Sequence, residues 1–235
     1  MEYKLFYKDQ PAMVVEKEAL SALDAMKELG VKAPERVLAV KINGRSCDMS
    51  APVEPETRIE PIYADSVEGL EILRHSTSHV MAMAVKELFP GVKVTIGPAI
   101  ENGFYYDFDF ERPFKDEDLP LIEKSMEEII QSDLPFKREE ISAKEAINRF
   151  KSQGEDYKVE IIEDLGVDMV SIYTQGSFSD LCRGPHIPST GRIKAFKLIK
   201  TAGAYWRGDE KKAMLSRIYG TAFEDKKALK QYLQR

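Results

Sequence analysis

The chain has 235 residues, 43% of them apolar and 31% charged, with a formal net charge of −6. That length predicts two domains, and no apolar run approaches the roughly 18–20 residues needed to cross a bilayer. The opening residues, MEYKLFYKDQPAM, lack the apolar region of a secretory signal, and two cysteines, Cys47 and Cys182, make no disulfide framework. With no targeting signal the default compartment is a reducing cytoplasm, where a thiol is free, catalytic or metal-bound. The acidic balance argues against a surface generally coated by nucleic acid. The charge is uneven, however: residues 101–168 carry 20 acids against 9 Lys/Arg, and residues 192–217 carry 8 Lys/Arg against 2 acids. The basic stretch reads as either a solvated face or a local phosphate-facing stripe.

In chain order, residues 3–7 and 12–16 read as two strands around a turn. A helix is predicted over 18–29, with Ala22, Leu23, Met26 and Leu29 at helical spacing and Gly30 as a stop. VLAVKINGRSCDMS gives a strand, an Asn43-Gly44 turn and a second strand holding Cys47. RIEPIY closes a small α+β unit of β-grasp (ubiquitin-like) pattern near residue 62. A long helix is predicted over 66–89, capped by Asp65 or Ser66 and stopped by Pro90-Gly91. FYYDFDF, 104–110, alternates apolar and acidic residues at its end and reads as a half-buried strand. Helices follow at 116–132 and 142–152, strands at 158–162, 169–174, 193–200 and 214–219, and an amphipathic helix at the end. The fold class is α+β, a small unit followed by a larger one with an antiparallel sheet and a long helix. The final helix has no closing loop, which suggests a piece of something longer.

The chain has only three histidines, and all fall in two short clusters with one of the two cysteines. His75 and His79, in RHSTSHV, stand at i and i+4 and therefore share one helix face. Cys182 and His186, in DLCRGPH, are also four apart, but Gly184-Pro185 between them excludes a regular helix and places them on a turn leaving a strand. If helix and turn are neighbours, three imidazoles and one thiol converge, a donor set suited to tetrahedral zinc. Either pair alone is commonly incidental; the shared pattern favours one site. Asp180 would orient a histidine or bind an amine, or else is a turn residue. Lys158 would supply a charge, or else is a solvated lysine. Tyr106 would wall a pocket, or else is core. No glycine-rich phosphate loop and no nucleophile elbow is present.

RHSTSHVMAMAVKELFP, IGPAIENGFYYDF, DLCRGPH, FKLIKTAGAYWRGD and RIYGTAF occur in order, and together they resemble the amino-terminal half of bacterial threonyl-tRNA synthetases. Residues 1–62 resemble the TGS module of that family. Residues 63–224 resemble its editing domain, which is similar to that of alanyl-tRNA synthetases, and residues 225–235 the start of a linker helix. The resemblance implies a pocket that hydrolyses serine wrongly attached to threonine tRNA. It implies catalytic roles for His75, His79, Lys158, Asp180, Cys182 and His186, and a substrate-binding role for Tyr106. His75 with Lys158 would position water, Asp180 would hold the seryl amine, and His79, Cys182 and His186 would shape the pocket or bind a metal. The quartet holds zinc in the alanyl relatives and works without it in the threonyl branch, so the expectation leans to no required cofactor. Lys197, Lys200 and Arg207 are the candidate tRNA contacts in the basic stripe. ATP-dependent threonylation and homodimer formation would belong to a catalytic core that these residues do not contain. Two other readings compete: an RNA-binding module with a structural zinc, and a free-standing editing protein.

Overall fold

The computed structural model describes residues 1–234 and is α+β with mixed sheets and, among those residues, six α-helices. The first unit comprises β1 (Glu2–Phe6), β2 (Met13–Glu16), α1 (Ala22–Glu28), β3 (Val37–Ile42), β4 (Arg45–Cys47) and β5 (Glu56–Tyr63). Its sheet runs β2-β1-β5-β3-β4, with β1 parallel to β5 and the other pairs antiparallel. Asn43 and Gly44 both take positive φ, 50° and 82°, as a two-residue hairpin turn requires. Ser21 caps α1 by accepting from the Asp24 amide. The helix lays Ala22, Ala25 and Met26 against Leu5, Val37, Val40 and Ile59 of the sheet.

The second unit is built around α2 (Val67–Leu88), whose first turn is capped by Ser66 accepting from the Gly69 amide. Every residue from Ser76 to Val85 is buried. This helix is thus enclosed on all sides rather than along one stripe, and its polar residues must find partners inside the protein. It packs against β8 (Gly103–Asp109), β13 (Met214–Phe223) and α3 (Leu119–Gln131). The antiparallel sheet beneath it runs β12 (Ala195–Tyr205), β13, β8 and β6 (Lys93–Val94), with β7 (Ala99–Ile100) also pairing β8. A second antiparallel sheet, β11 (Phe178–Leu181), β10 (Met169–Gln175) and β9 (Lys137–Ser142), is backed by α4 (Ala143–Ser152) and α5 (Asp156–Leu165) over Ile141, Phe150, Ile162 and Ile172. α6 (Lys226–Leu233) lies against β12 and β13.

The expected strand at 158–162 is instead part of α5. The β-branched run Val159–Ile161–Ile162 imitates a strand, but the buried positions Lys158, Val159 and Ile162 follow helical spacing, and Gly166, left-handed at φ 59°, ends the helix. β9 was not expected. Four of its six residues are charged and exposed, so its sequence carries little strand signal, and the pairing with β10 makes it. β8 is more buried than a half-exposed strand: Asp107 is enclosed, and its carboxylate takes a two-pronged bond from Arg217, at 2.7 and 2.8 Å. The two units also share apolar contacts, since Leu38, Ala39 and Ile62 join the core that contains α2.

Candidate active site

Being i and i+4 on α2, His75 and His79 project to one side, with ring centroids 4.9 Å apart. The turn that leaves β11 after Leu181 meets that side. His186 stacks on His75 at 4.7 Å and meets His79 edge-on at 4.3 Å. One ligand atom from each of His75, His79, Cys182 and His186 falls in a group spanning no more than 4.8 Å. The structure therefore brings together the four residues that sequence spacing paired only two by two. Gly184 in the turn has φ 69°, and a Cβ there would lie 1.9 Å from the Tyr173 hydroxyl, so no other residue fits.

Hydrogen bonds orient the cluster. His75 Nδ1 donates to the Gly97 carbonyl at 3.1 Å, which leaves Nε2 as the basic atom, 2.9 Å from Cys182 Sγ. Burial pushes the Cys182 thiol up to about 12, so it is protonated and donates to that nitrogen. His186 lies with Nε2 3.2 Å from the same sulfur and Nδ1 2.9 Å from Ser76 Oγ. Ser76 Oγ in turn accepts the Ile187 amide at 3.2 Å. Burial lowers the basicity of all three imidazoles. For His75 the Gly97 carbonyl opposes the shift. For His79 and His186 the neighbouring imidazoles add to it, and both lie well below the ordinary value. All three are neutral near pH 7.

Behind His79 lies a second cluster. Lys158, on α5, forms an ion pair with Asp180 on β11, and both side chains are almost fully enclosed, at 2% and 3% exposure. Lys158 Nζ also donates to the Thr95 carbonyl and to Tyr106 Oη at 3.1 Å, and Tyr106 Oη donates to Asp180 Oδ2 at 2.7 Å. Burial, and after it Asp180, holds the Tyr106 phenol well above its ordinary pKa, so it stays a donor. His79 Nε2 is 3.6 Å from Asp180 Oδ2; because His79 is neutral, this is a polar contact rather than a charge pair. Gly97 seats against the Tyr106 ring, where a Cβ would come within 2.1 Å. This packing ties the two clusters together through the carbonyl that orients His75.

All seven residues marked as catalytic or substrate-binding in the sequence thus lie in one connected region. Lys197, Lys200 and Arg207 lie apart from it in the bonding network. Lys197 pairs with Glu123 at 2.9 Å, Arg207 with Glu160 at 3.4 Å and with Asp164, and Lys200 stands 5.3 Å from the Tyr219 ring centroid. Much of the charge in the basic stripe is therefore neutralised locally. Sequence reading missed Ser76, Thr95, Gly97 and Tyr173. Only Ser76, between the two histidines in RHSTSHV, carried a visible signal. A cleft of about 580 Å³ between the two units is lined by Asp48, Arg138, Tyr173, Arg183 and Pro185, and by none of the four His/Cys donors.

The donor set fits zinc by type. A zinc site of about 2.0–2.3 Å bonds holds its ligand atoms roughly 3.3–3.8 Å apart. His75 Nε2 and Cys182 Sγ, hydrogen-bonded at 2.9 Å, would part slightly to accept it and the thiol would lose its proton. The Gly97 bond already selects the His75 tautomer whose Nε2 faces the sulfur.

No helix among the described residues is long and apolar enough to cross a membrane. Residues 170–219 match the family model described as the threonyl and alanyl tRNA synthetase second additional domain. The chain is 57% identical over 215 residues to a threonine–tRNA ligase of Geobacter sp. (strain M21), covering 92% of this chain and 34% of that protein. It is 58% identical over 226 residues to the threonine–tRNA ligase of Oleidesulfovibrio alaskensis, covering 94% and 35%. For that of Desulfovibrio desulfuricans the figures are 64% over 188 residues, 80% and 29%. Over about a third of the length of these curated relatives, the chain is similar to the threonine–tRNA ligases, and its residues 170–219 match the second additional domain described for threonyl and alanyl tRNA synthetases.

Proposed function

We propose that this chain hydrolyses the ester joining serine to a tRNA that should carry threonine. The observation that carries the proposal is the convergence of His75, His79, Cys182 and His186 against the buried Lys158–Asp180–Tyr106 group, in a chain similar to threonine–tRNA ligases. Serine is threonine less one methyl. A synthetic pocket built for threonine rejects the smaller analogue by only about 1–3 kcal/mol, whereas a second pocket excludes threonine by overlap with that methyl. The substrate is an activated ester, so water suffices as nucleophile and covalent attack by a protonated Cys182 is unnecessary.

In this reading His75 Nε2 is the base that draws a proton from water, once bound substrate and water have displaced the Cys182 thiol that otherwise donates to it. It is the least enclosed of the three imidazoles, and its Nδ1–H is already held by the Gly97 carbonyl. Asp180 receives the seryl ammonium by sharing a carboxylate that also binds Lys158 and Tyr106. His79 and His186, neutral and buried, wall the side-chain pocket. When bound at the quartet, zinc would supply a Lewis acid and a more acidic water; the reading requires none. Residues 1–62 would be a TGS-type β-grasp unit and 63–224 the editing unit, with threonine tRNA as partner. ATP-dependent ligation and dimer formation would lie in parts of the relatives that this chain does not match. The test is release of serine from Ser-tRNA by the chain, with His75→Ala expected to slow it strongly at unchanged circular dichroism. A structural zinc module would instead show stoichiometric zinc, unfolding with chelator and no turnover.

A further inference from the structure

Between Arg183 and His186, the only backbone N–H bonded outside the turn is that of His186, among the described residues. Its acceptor comes from the other unit: Asp48, just past β4, takes it on Oδ1 at 2.8 Å. The second oxygen of the same carboxylate accepts the Tyr173 hydroxyl at 2.7 Å. Tyr173, on β10 and 1% exposed, is the residue whose hydroxyl seats against Gly184 and whose ring meets His186 edge-on at 4.5 Å. One carboxylate thus holds both the turn and the side chain that shapes it. Asp48 is itself fixed, because the next residue, Met49, is buried in the core of the first unit. That unit is docked on α2 through Leu38, Ala39 and Ile62 and through the 2.7 Å pair of Lys41 with Glu68. Burial and the neighbouring carboxylate also keep the Tyr173 phenol protonated as a donor.

We propose that Asp48 is a positioning residue for the candidate active site: through it the N-terminal unit fixes the Cys182–His186 turn against α2. The site is then complete only when that unit is docked. The role is orientation, since Asp48 bonds the His186 backbone and not its ring. Ser76 fixes the ring on one side and Asp48 the backbone on the other, and together they set His186 Nε2 opposite Cys182 Sγ. The turnover part of this inference rests on the hydrolase reading; the bond itself does not.

The test uses the whole chain carrying Asp48→Ala or Asp48→Asn. Labelling with ¹⁵N-histidine yields only three backbone amide signals, because the chain has three histidines, and exchange of the His186 amide reads the bond directly. In Asp48→Ala the His186 amide exchanges at least about tenfold faster while those of His75 and His79 hold, and kcat for serine release falls about 10–100-fold, the usual range for a lost supporting partner, with KM little changed. Asp48→Asn restores both, because its amide oxygen accepts from His186 and its NH₂ donates to the Tyr173 oxygen. Unchanged His186 exchange in Asp48→Ala, or full turnover in that variant, overturns the proposal. So does an Asn variant as impaired as the Ala variant. If the unaltered chain releases no serine, the hydrolase reading fails, and the amide exchange still decides the role of Asp48.

Discussion

Lys158, Asp180 and Tyr106 form a buried charged group whose members depend on one another. Removing one partner of such a pair leaves the other charged and unsolvated, at a cost of about 3–5 kcal/mol, whereas removing both is far milder. Lys158→Met should therefore lower stability by about that amount, and Lys158→Met with Asp180→Asn should recover most of it; urea midpoints at equal slope measure both. The imidazoles give a pH dependence of defined sign. Burial lowers their folded pKa values below the ordinary ~6.5 of an exposed histidine. The unfolded chain therefore binds more protons on acidification, and stability falls as pH drops through about 6.5 toward the folded values. Above about pH 7.5 the imidazoles contribute no slope. Thermal melts from pH 8 to 5 should show the loss, with a flatter profile in a His79→Gln, His186→Gln double variant. An identical profile would mean that these groups are not held neutral by the fold.

At the scale of elements, the helix and the turn meet because the packing around them is tight. Gly97 is one place where this can be measured. A methyl there would collide with the Tyr106 ring, which cannot yield without breaking its bonds to Asp180 and Lys158. Gly97→Ala should cost about 1–3 kcal/mol, as overpacking does, and should also displace the carbonyl that orients His75. Chemical denaturation reads the first effect and serine release the second. Elements with local chemistry were legible in the sequence: the Asn43-Gly44 hairpin, the capped start of α2, the stop at Pro90-Gly91. The histidine face of α2 and the Cys182–His186 turn were legible for the same reason. α5 was not, because Val159–Ile161–Ile162 favours a strand locally, and the helix is decided by the packing of Val159 and Ile162 with Phe150 of α4 and with Ile141 and Ile172. β9 exists through its pairing with β10. Asp48 lies 138 residues from His186, and nothing local distinguishes it from any aspartate after a hairpin. The ion pairs of Lys197 and Arg207 with Glu123, Glu160 and Asp164 were likewise invisible to a count of charges.

For the whole molecule, those pairs bear on how a tRNA would be held. Lys200 has no carboxylate partner among the described residues and stands free to meet a phosphate, while Lys197 and Arg207 must first give up theirs. Lys200→Ala should weaken tRNA binding and reduce the dependence of log K on log salt by about one phosphate contact, with smaller changes for Lys197→Ala and Arg207→Ala; filter binding across a salt series measures this. The shared contacts of Leu38, Ala39 and Ile62 with the α2 core likewise mean that the first unit and the site respond together, as Asp48 does. The central claim is discrimination by one methyl, and the most direct measurement compares release of serine and of threonine from the same tRNA under the same conditions. Differences in tRNA binding cancel, so only the side-chain pocket distinguishes the two reactions. The account predicts fast release of serine and slow release of threonine, by more than the factor a missing methyl contact alone would give. Equal rates for the two, or no release of either, would contradict it.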